Sequence, residues 1–347
     1  MPLVSVLFPV YNAIQDLPRA LHSLLGQTLN DFEIIAIDDG STDGSGQMLD
    51  EYARQDARLR VFHQENAGNL GMVLNKAAQL ANGKYLARQD ADDASAPARL
   101  AEQIEYLDTH PMIGLCGTWN WHIDSKLGPL FSSELPDQPA LLLQFLEKGM
   151  NPFIHGSVMM RADLFRKTGG YRGSLVEDFD LWLRMSERAQ LGMLTRLGYY
   201  YWHSSSGISS GAHIRQQKLV RLALKLHQER VRLGREESNW ADEYEQILKS
   251  QMAESNQDER KTFMYYAHGH HLLRLGRWDA AKAELLQASF GQGQYAQKAK
   301  RNLSFFWMAP VVSAAYRLLE TREPQYYART LPAGTSLPEF LQKTGNE

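Results

Sequence analysis

The sequence predicts an α/β fold: an open, mostly parallel sheet flanked by helices, followed by an all-α carboxyl-terminal region. Three observations support this prediction. Short apolar runs alternate with helical periodicity over the first hundred residues, as in the strand–helix–strand units that build parallel sheets. Acidic residues directly follow two of these runs, at the strand ends where open α/β sheets bind ligands. Beyond about Gly211, glycine turns become sparse and helical periodicity dominates.

The elements follow from the order of these patterns. A β-rich run ends at Pro9-Val10, and apolar residues from Leu17 to Leu25 then recur at helical spacing. Later apolar runs are bounded by turn residues, which is typical of buried strands and the helices between them. The sequence therefore predicts strands at 3–10, 32–37, 59–63 and 83–87, and helices at 17–25 and about 72–80.

Acidic residues gather behind two of the predicted strands. Asp90, Asp92 and Asp93 follow the strand at 83–87, and Asp38-Asp39 follow the strand at 32–37. Like charges this close raise one another's pKa unless a cation or donors compensate them. Hard oxygen ligands clustered in this way suit Mg²⁺ or Mn²⁺ held together with substrate phosphates. The alternative for each cluster alone is a solvated acidic turn.

The length, composition, net charge and cysteine count of the chain narrow the class of protein. The chain has 347 residues, is 44% hydrophobic and 22% charged, and has a formal net charge of -3, which gives no reason to expect nucleic-acid binding. Cys116 is alone, so no internal disulfide can form, and this fits a reducing cytoplasm. A signal peptide and a membrane span are not predicted, because the longest apolar candidate, 303–319, is interrupted by Pro310 and Arg317. We expect a cytoplasmic protein that is either free or peripheral on the cytoplasmic face of the membrane.

Several short motifs occur in an informative order. A Gly-rich dinucleotide fingerprint and a phosphate loop are missing, which disfavours ordinary dehydrogenases and phosphate-loop enzymes. The motifs present are residues 4–12, 38–43, 66–75, 83–85, 90–93 with Pro97 and Arg99-Leu100, Gly169-Gly170-Tyr171, and 177–184. In this order and spacing, residues 3–205 resemble the family 2 glycosyltransferases, which transfer sugars from nucleotide-sugar donors with inversion. The resemblance implies a GT-A-like fold.

The resemblance implies a nucleotide site at the first two strand ends. Pro9, Tyr11 and Asp39 would flank the base, with Asp39 accepting a hydrogen bond from a base N–H, and Asp90 would contact the ribose. A buried carboxylate that faces an N–H donor can discriminate between nucleotide bases, because a base without that N–H leaves the carboxylate unpaired. Alternatively, Asp38 and Asp39 only cap the following helix; Asp38 is the better candidate for supporting the loop.

The resemblance also implies a metal site. Asp92 would hold Mn²⁺ or Mg²⁺ on the diphosphate, and Asp93 would be a second ligand or its outer neighbour. Arg88 would offset this charge, reach a phosphate or form a plain salt bridge. His203 lies where related enzymes often place a late histidine near the metal, and imidazole suits Mn²⁺ better than Mg²⁺; the alternative is an ordinary loop histidine.

A third acidic site lies at Glu177-Asp178. By itself it is an acidic helix start favoured by the helix dipole. The resemblance makes Asp178 the general base that removes the proton from the acceptor hydroxyl, with Glu177 or Asp180 as the alternatives. It also places His155, Glu177 and Trp182 at the donor-sugar and acceptor site, although a lone histidine is more often structural.

We expect residues 1–125 to form a nucleotide-sugar-binding half, 126–210 the acceptor-binding half, and 211–347 the helical region. Within the helical region, the basic helix at 213–235 would pack on the catalytic domain or lie on anionic lipid. Residues 262–292 resemble one tetratricopeptide-type hairpin, which must lean on neighbouring helices or a partner. The apolar segment 305–312 is either core or a surface for docking or membrane contact.

The favoured interpretation is a metal-dependent inverting glycosyltransferase. It would move a sugar from a nucleotide-diphosphate donor, for which a UDP-sugar is the favoured candidate, to a hydroxyl of a glycan or lipid-linked glycan. One alternative is nucleotidyl transfer to a sugar phosphate. Enzymes of that class usually have a glycine-rich, basic loop after the first strand, and this chain has Pro9-Val10-Tyr11-Asn12 there instead. A phosphoacceptor signalling domain would use Asp38, Asp39 and Asp90 but leave Glu177-Asp178 without a role. A catalytically silent binding scaffold would have lost one acidic site.

Overall fold

The structure is a computed structural model. It describes residues 1–124, 128–173, 176–203 and 213–252, and beyond these residues 265–266, 269, 272–273, 277–290, 293–304, 306, 328–331 and 335–342. The predicted boundaries near residues 125 and 211 both fall outside the described residues.

One sheet organises the described part of the chain. Its strands are β1 (Val4–Val10), β2 (Phe32–Asp38), β3 (Leu59–His63), β4 (Tyr85–Arg88), β5 (Ala94–Ser95), β6 (Ile113–Asp124), β7 (Gly128–Ser133), β8 (Met159–Arg161), β9 (Gln190–His203) and β10 (Ala328–Thr330). They are ordered β10-β7-β6-β8-β4-β1-β2-β3, with β9 beside β6 and β5 beside β9.

Helices surround this sheet and continue beyond it. They are α1 (Leu17–Leu25), α2 (Ser45–Gln55), α3 (Leu70–Leu80), α4 (Arg99–Thr109), α5 (Pro139–Glu147), α6 (Ala162–Thr168), α7 (Glu177–Ser186), α8 (His213–Leu233), α9 (Trp240–Met252), α10 (Trp278–Ser289), α11 (Gly293–Ser304) and α12 (Glu339–Gln342). A short 3₁₀ helix spans His155–Ser157.

The first half of the sheet is parallel. β1 lies between β2 and β4, and β3 pairs with β2 on the outside. Because all these strands run the same way, the segments that follow β1, β2 and β4 meet at one edge of the sheet. Those segments begin at Tyr11, Asp39 and Gln89. The predicted α/β fold class is confirmed, and so is the helical carboxyl-terminal region.

The second half of the sheet is mixed. β8 runs antiparallel to β4 and β6, whereas the long strand β9 runs parallel to β6. β10 comes from the carboxyl-terminal region and pairs antiparallel with β7, so this region adds one strand to the predicted helices. The two predicted halves of the catalytic domain thus share one sheet.

Two apolar layers cover the parallel strands. Leu7 and Ile35 face a cluster that includes α3 and α7, whereas Val6 and Ile34 face a second cluster formed with α1 and α4. Successive side chains of a strand point to opposite faces, so a strand covered on both sides must be apolar throughout. This double burial explains why β1 and β2 were readable as continuous apolar runs.

The first carboxyl-terminal helix packs on the catalytic core. Leu219, Leu222, Ala223 and Leu226 of α8 are buried in the same cluster as α7. The basic helix therefore packs on the catalytic domain along this face. Further along, α10 and α11 bury Leu285, Ala288 and Ala299 against each other. Most of 262–276 and 305–312 lies outside the described residues, so the tetratricopeptide-like hairpin and the docking segment stay predictions.

The β1–β4 pairing depends on a close backbone approach at Gly83. A Cβ built on Gly83 would lie 2.5 Å from the Ser5 nitrogen and 2.8 Å from the Val4 carbonyl carbon. The Gly83 N–H also donates to Ser5 Oγ (2.8 Å), which donates to Glu33 Oε1 (2.7 Å).

We expect Gly83→Ala to lower the free energy of unfolding by roughly 2 kcal/mol, since backbone atoms cannot move aside cheaply. Urea unfolding measures this, with exposed Asn82→Ala as the neighbouring control.

Candidate active site

The loops after β1 and β2 are tied together. Asn12 adopts a left-handed conformation (φ 48°), its N–H donates to Ser41 Oγ (3.0 Å), and its Oδ1 accepts from the Thr42 N–H (2.8 Å). Pro9 is half-buried and Tyr11 is 54% exposed. The Tyr11 ring therefore stands at an open surface at the edge of the sheet predicted to bind the nucleotide.

Asp38 and Asp39 have different partners. Asp38 accepts from the Ser41 N–H (3.0 Å) and pairs with His63 Nδ1 (2.9 Å), so it supports the loop as expected. Asp39 is 8% exposed, and its Oδ1 accepts from Gln64 Nε2 (2.5 Å) and the Ala67 N–H (2.9 Å). Neither carboxylate caps α2, which begins after Gly44 without a side-chain cap.

A buried guanidinium accompanies the acidic cluster behind β4. Arg88 is fully buried, and its Nη2 donates to Asp90 Oδ1 (2.6 Å). Burial opposes the charged guanidinium, but neighbouring acidic groups, Asp90 first, hold the pKa of Arg88 above its ordinary value. Arg88 thus offsets the charge of the cluster through a salt bridge with Asp90.

The remaining two carboxylates are crowded. Burial and the charge of Asp90 raise the pKa of Asp92 to about 6. Asp93 is 1% exposed and accepts from the Trp202 N–H through Oδ1 (2.7 Å), while its buried Oδ2 has no hydrogen-bond partner among the described residues. Burial and the charge of Asp92 raise the pKa of Asp93 well above its ordinary value. Such a group of hard oxygens, short of positive charge, fits a divalent cation.

His203 ends β9, one residue after Trp202, whose N–H binds Asp93. Its Nε2 lies 3.0 Å from Nδ1 of His122, whose Nε2 lies 3.0 Å from Ser133 Oγ. Across the described ranges, no three His, Cys, Asp or Glu side chains form a ready-made metal cage. A cation here would need oxygens from a ligand to complete its shell, as Mg²⁺ commonly does with phosphates. The metal role of His203 stays a prediction.

The third acidic site opens α7. Asp178 Oδ2 accepts from Asn151 Nδ2 (2.6 Å), and its Oδ1 accepts from the Phe179 N–H (2.7 Å). Burial raises the pKa of Asp178 despite these hydrogen bonds. A basic carboxylate with fixed orientation is suited to accept a proton. Sequence reasoning did not single out Asn151, since only its distant partner reveals its role.

Glu177 and His155 lie side by side behind Asp178. Glu177 is 6% exposed, its Oε1 is 3.8 Å from His155 Nδ1, and its Oε2 has no hydrogen-bond partner in the described part of the chain. Burial and the charge of Asp178 raise the pKa of Glu177 to about 8. Burial, with the charge of Arg88, lowers the pKa of His155 well below its ordinary value, and His155 Nε2 meets Tyr171 Oη at 3.0 Å. These shifts favour the protonated form of Glu177 and the uncharged form of His155.

The second and third acidic sites flank the 3₁₀ helix His155–Ser157, and we call the space between them the cleft. The charge of Asp90 contributes to the raised pKa of both Glu177 and Asp178. Between them lies the 3₁₀ helix, where a Cβ on Gly156 would collide with Tyr199 Oη and lie 2.7 Å from Asp90 Oδ2. The Asp90 N–H donates to Tyr199 Oη (3.1 Å). Sequence reasoning missed Tyr199, which these long-range contacts alone identify.

Trp182 requires a correction. We expected it at the donor-sugar and acceptor site, but its side chain has no exposed surface. Its ring packs edge-on against Phe153 (6.2 Å) and His155 (5.8 Å). Every residue of α7 from Phe179 to Met185 is buried, so Trp182 has no side of the helix open to solvent. Trp182 supports His155 from behind and offers no surface for a sugar to stack on.

Comparison with known proteins identifies the family. The model for "Glycosyl transferase family 2" matches residues 5–169. EpsE of Bacillus subtilis (strain 168), a glycosyltransferase by name, is 36% identical over 196 residues, which are 55% of this chain and 69% of EpsE. The chain belongs to glycosyl transferase family 2. This glycosyltransferase spans smaller shares of several other curated relatives that it matches.

Solved structures share the fold of this glycosyltransferase. S. aureus TarS 1–349 in complex with UDP-GlcNAc has a TM-score of 0.54 at 18% identity, with 92% of each chain covered. Mannosyltransferase PcManGT from Pyrobaculum calidifontis, in complex with GDP-Man and Mn²⁺, has a TM-score of 0.51 at 17% identity, covering 94% of this chain and 85% of that one. The glycosyltransferase assignment favours sugar transfer over the nucleotidyl-transfer and phosphoacceptor alternatives.

The raised pKa of Glu177 makes stability depend on pH. A carboxyl whose folded pKa exceeds its unfolded value stabilises the fold while protonated, and this contribution is lost as pH rises through the folded value. We expect Glu177→Gln to match the native protein near pH 5 and to exceed its free energy of unfolding by roughly 3 kcal/mol near pH 9. Urea unfolding at both pH values measures the difference. A difference that is the same at both pH values would show that Glu177 is not held protonated.

Proposed function

We propose that this glycosyltransferase is metal-dependent and inverting, and that it moves a sugar from a nucleotide-diphosphate donor to a hydroxyl of a glycan or lipid-linked glycan. The observation that carries the proposal is the closeness of the two acidic sites to one short helix. A Cβ on Gly156 would lie 2.7 Å from Asp90 Oδ2, and the neighbouring His155 Nδ1 lies 3.8 Å from Glu177 Oε1 at the start of α7. A donor anchored at the strand ends would place its sugar before Asp178.

The proposed nucleotide site uses the ends of β1, β2 and β4. Asp39 would accept from a base N–H, with Pro9 and Tyr11 against the base, and Asp90 would contact the ribose. Exposed Tyr11 and the fixed orientation of Asp39 support this assignment. A uridine nucleotide offers the required N–H, as does deoxythymidine, and we propose a UDP-sugar as the donor.

Asp92 would hold Mn²⁺ or Mg²⁺, with His203 as a further ligand and Asp93 beside it. The cation would neutralise charge on the leaving diphosphate. The crowded carboxylates support a cation at this place, as does Asp93 Oδ2, which has no hydrogen-bond partner within the described ranges. Arg88 would stay paired with Asp90 and keep it oriented.

Asp178 would act as the general base. Its raised pKa and its two hydrogen bonds suit a group that takes the proton of the acceptor hydroxyl while that oxygen attacks the anomeric carbon. Protonated Glu177 next to it would carry no competing charge, and neutral His155 would border the donor sugar or acceptor. Single displacement with one base inverts the anomeric configuration.

We also propose a peripheral role for the carboxyl-terminal helices, on the cytoplasmic face of the membrane or against a protein partner. The end of α8 exposes Val231 (68%) and Leu233 (40%) next to Arg232 and Arg235. Apolar side chains flanked by arginines suit an anionic lipid surface. No helix within the described residues has the length and apolar character needed to cross a bilayer.

The base assignment predicts a selective loss. We expect Asp178→Asn to lower kcat by about 100-fold or more, since the amide cannot accept the proton. Donor binding should persist, because the proposed base acts on the acceptor hydroxyl and contacts no part of the nucleotide. Turnover of a UDP-sugar and thermal shift with UDP and Mn²⁺ measure the two properties. Asp163→Asn, an exposed carboxylate on α6 paired only with Lys167 among the described residues, is the matched control. Near-normal turnover of Asp178→Asn would remove Asp178 as the base.

The nucleotide assignment predicts one responding base. In a thermal-shift panel of UDP, dTDP, GDP and ADP, we expect UDP to raise Tm most and only with Mn²⁺, because ligand binding stabilises the folded state by mass action. Asp39→Asn should shrink the difference between bases, whereas Asp92→Asn should abolish the metal-dependent increment. A flat panel on folded protein would contradict the proposed donor class.

A further inference from the structure

A network of ion pairs connects the carboxyl-terminal helices to α7. Its centre is Asp180, which is fully buried and lies two residues after Asp178. Arg172 approaches Asp180 with two nitrogens (Nη2 at 2.7 Å, Nε at 3.1 Å), and Arg184 Nε donates to Asp180 Oδ2 (2.9 Å). Burial alone would raise the pKa of Asp180, but the two guanidiniums hold it below its ordinary value.

Arg184 fixes the segment before α7 as well. Its Nη1 donates to the Thr168 carbonyl (2.7 Å), and its Nη2 donates to the Gly170 carbonyl (2.7 Å). The next residue, Tyr171, reaches His155. We call residues 168–173 the preceding segment. Arg172 and Arg184 therefore hold both the first turn of α7 and this segment, which borders the cleft.

Arg172 reaches out of the catalytic domain. Its Nη1 donates to both Glu236 oxygens (2.8 and 3.0 Å), in the turn between α8 and α9, and its guanidinium lies 5.0 Å from the centre of the Trp240 ring. Glu236 also pairs with Arg230 of α8 (2.5 Å). Beside Arg172, Gly173 approaches Tyr244 of α9 so closely that a Cβ would lie 2.8 Å from that ring. Two helices thus contact the preceding segment through an ion pair, an aromatic face and a close approach.

Helix geometry makes this network relevant to the cleft. Residues two apart in an α-helix are about 200° apart around its axis. Asp180 therefore lies on the side of α7 opposite Asp178. Asn151 binds the Asp178 carboxylate on the Asp178 side. Holding Asp180 fixes the rotation of the first turn, and this rotation sets the direction of Asp178.

We propose that Arg172 is a positioning residue that couples helices α8 and α9 to the orientation of Asp178. The proposal rests on the base role proposed for Asp178 where it concerns turnover, but the structural coupling stands by itself. It assigns the first two carboxyl-terminal helices a part in sugar transfer that acts through α7.

The first test measures coupling without turnover. We expect Glu236→Gln and Arg172→Ala to speed hydrogen exchange of the α7 amides, since the first turn loses a tether to α8 and α9. Glu243→Gln is the matched control, because the Lys225–Glu243 pair (2.8 Å) joins the same two helices and is exposed. Unchanged exchange in α7 for Glu236→Gln overturns the proposal. If Arg172→Ala fails to fold, Glu236→Gln alone decides this test.

The second test measures turnover of a UDP-sugar. We expect Arg172→Ala to lower kcat by about 10- to 100-fold with little change in the donor KM. A misplaced base stabilises the transition state less but leaves the binding of the donor in the ground state unchanged. Arg172 lines a cavity of about 270 Å³ together with Arg184, Arg188 and Glu236. Millimolar guanidinium should enter the space left by Arg172→Ala and restore part of kcat, and Arg172→Lys should retain more activity than alanine.

The outcomes separate the two proposals. Loss of kcat without rescue, and with a matching rise in KM, overturns Arg172 as a positioning residue. If α7 exchanges faster in Glu236→Gln but Asp178→Asn is fully active, the coupling is supported and the base assignment is wrong. If α7 exchange is normal in Glu236→Gln but Asp178→Asn is inactive, the base assignment is supported and the coupling is wrong. Slowed turnover in Glu243→Gln would also count against the coupling, because the control breaks no contact with the preceding segment.

Discussion

Buried arginines make the acidic centre compatible with a folded chain. Arg88 neutralises Asp90 directly, and the fully buried Arg99 holds the surrounding backbone through the carbonyls of Arg88 and Val158. Burial lowers the pKa of Arg99 to about 10, so it still carries its charge at neutral pH. An unpaired buried charge costs several kcal/mol, so these cations and the nearby carboxylates depend on each other. The site is thus charged before any ligand arrives.

This arrangement divides the work between the two halves of the sheet. The parallel half brings three strand ends to one edge, because parallel strands place every carboxyl end on the same side. The mixed half contributes Tyr199 and the 3₁₀ helix, which contact Asp90 and separate it from Glu177. A single sheet therefore fixes the distance between the proposed nucleotide site and the proposed base.

The parallel half was predictable from the sequence, because β1 and β2 are buried on both faces and read as unbroken apolar runs. The acidic strand ends were equally visible, since charges directly after such runs have few structural explanations. The roles of Gly156, Tyr199 and Asn151 were not, because they arise from contacts between residues far apart in the chain. The prediction for Trp182 was wrong because the mixed polar and apolar composition of α7 does not reveal that the helix is buried on every side.

The return of the chain to the sheet has a practical consequence. β10 covers the outer side of β7 by antiparallel pairing. If the polypeptide were cut short after α9, β7 would present a bare row of N–H and C=O groups to solvent, and such borders recruit strands from other molecules. A shortened catalytic fragment would then gain a tendency to aggregate that has nothing to do with its chemistry.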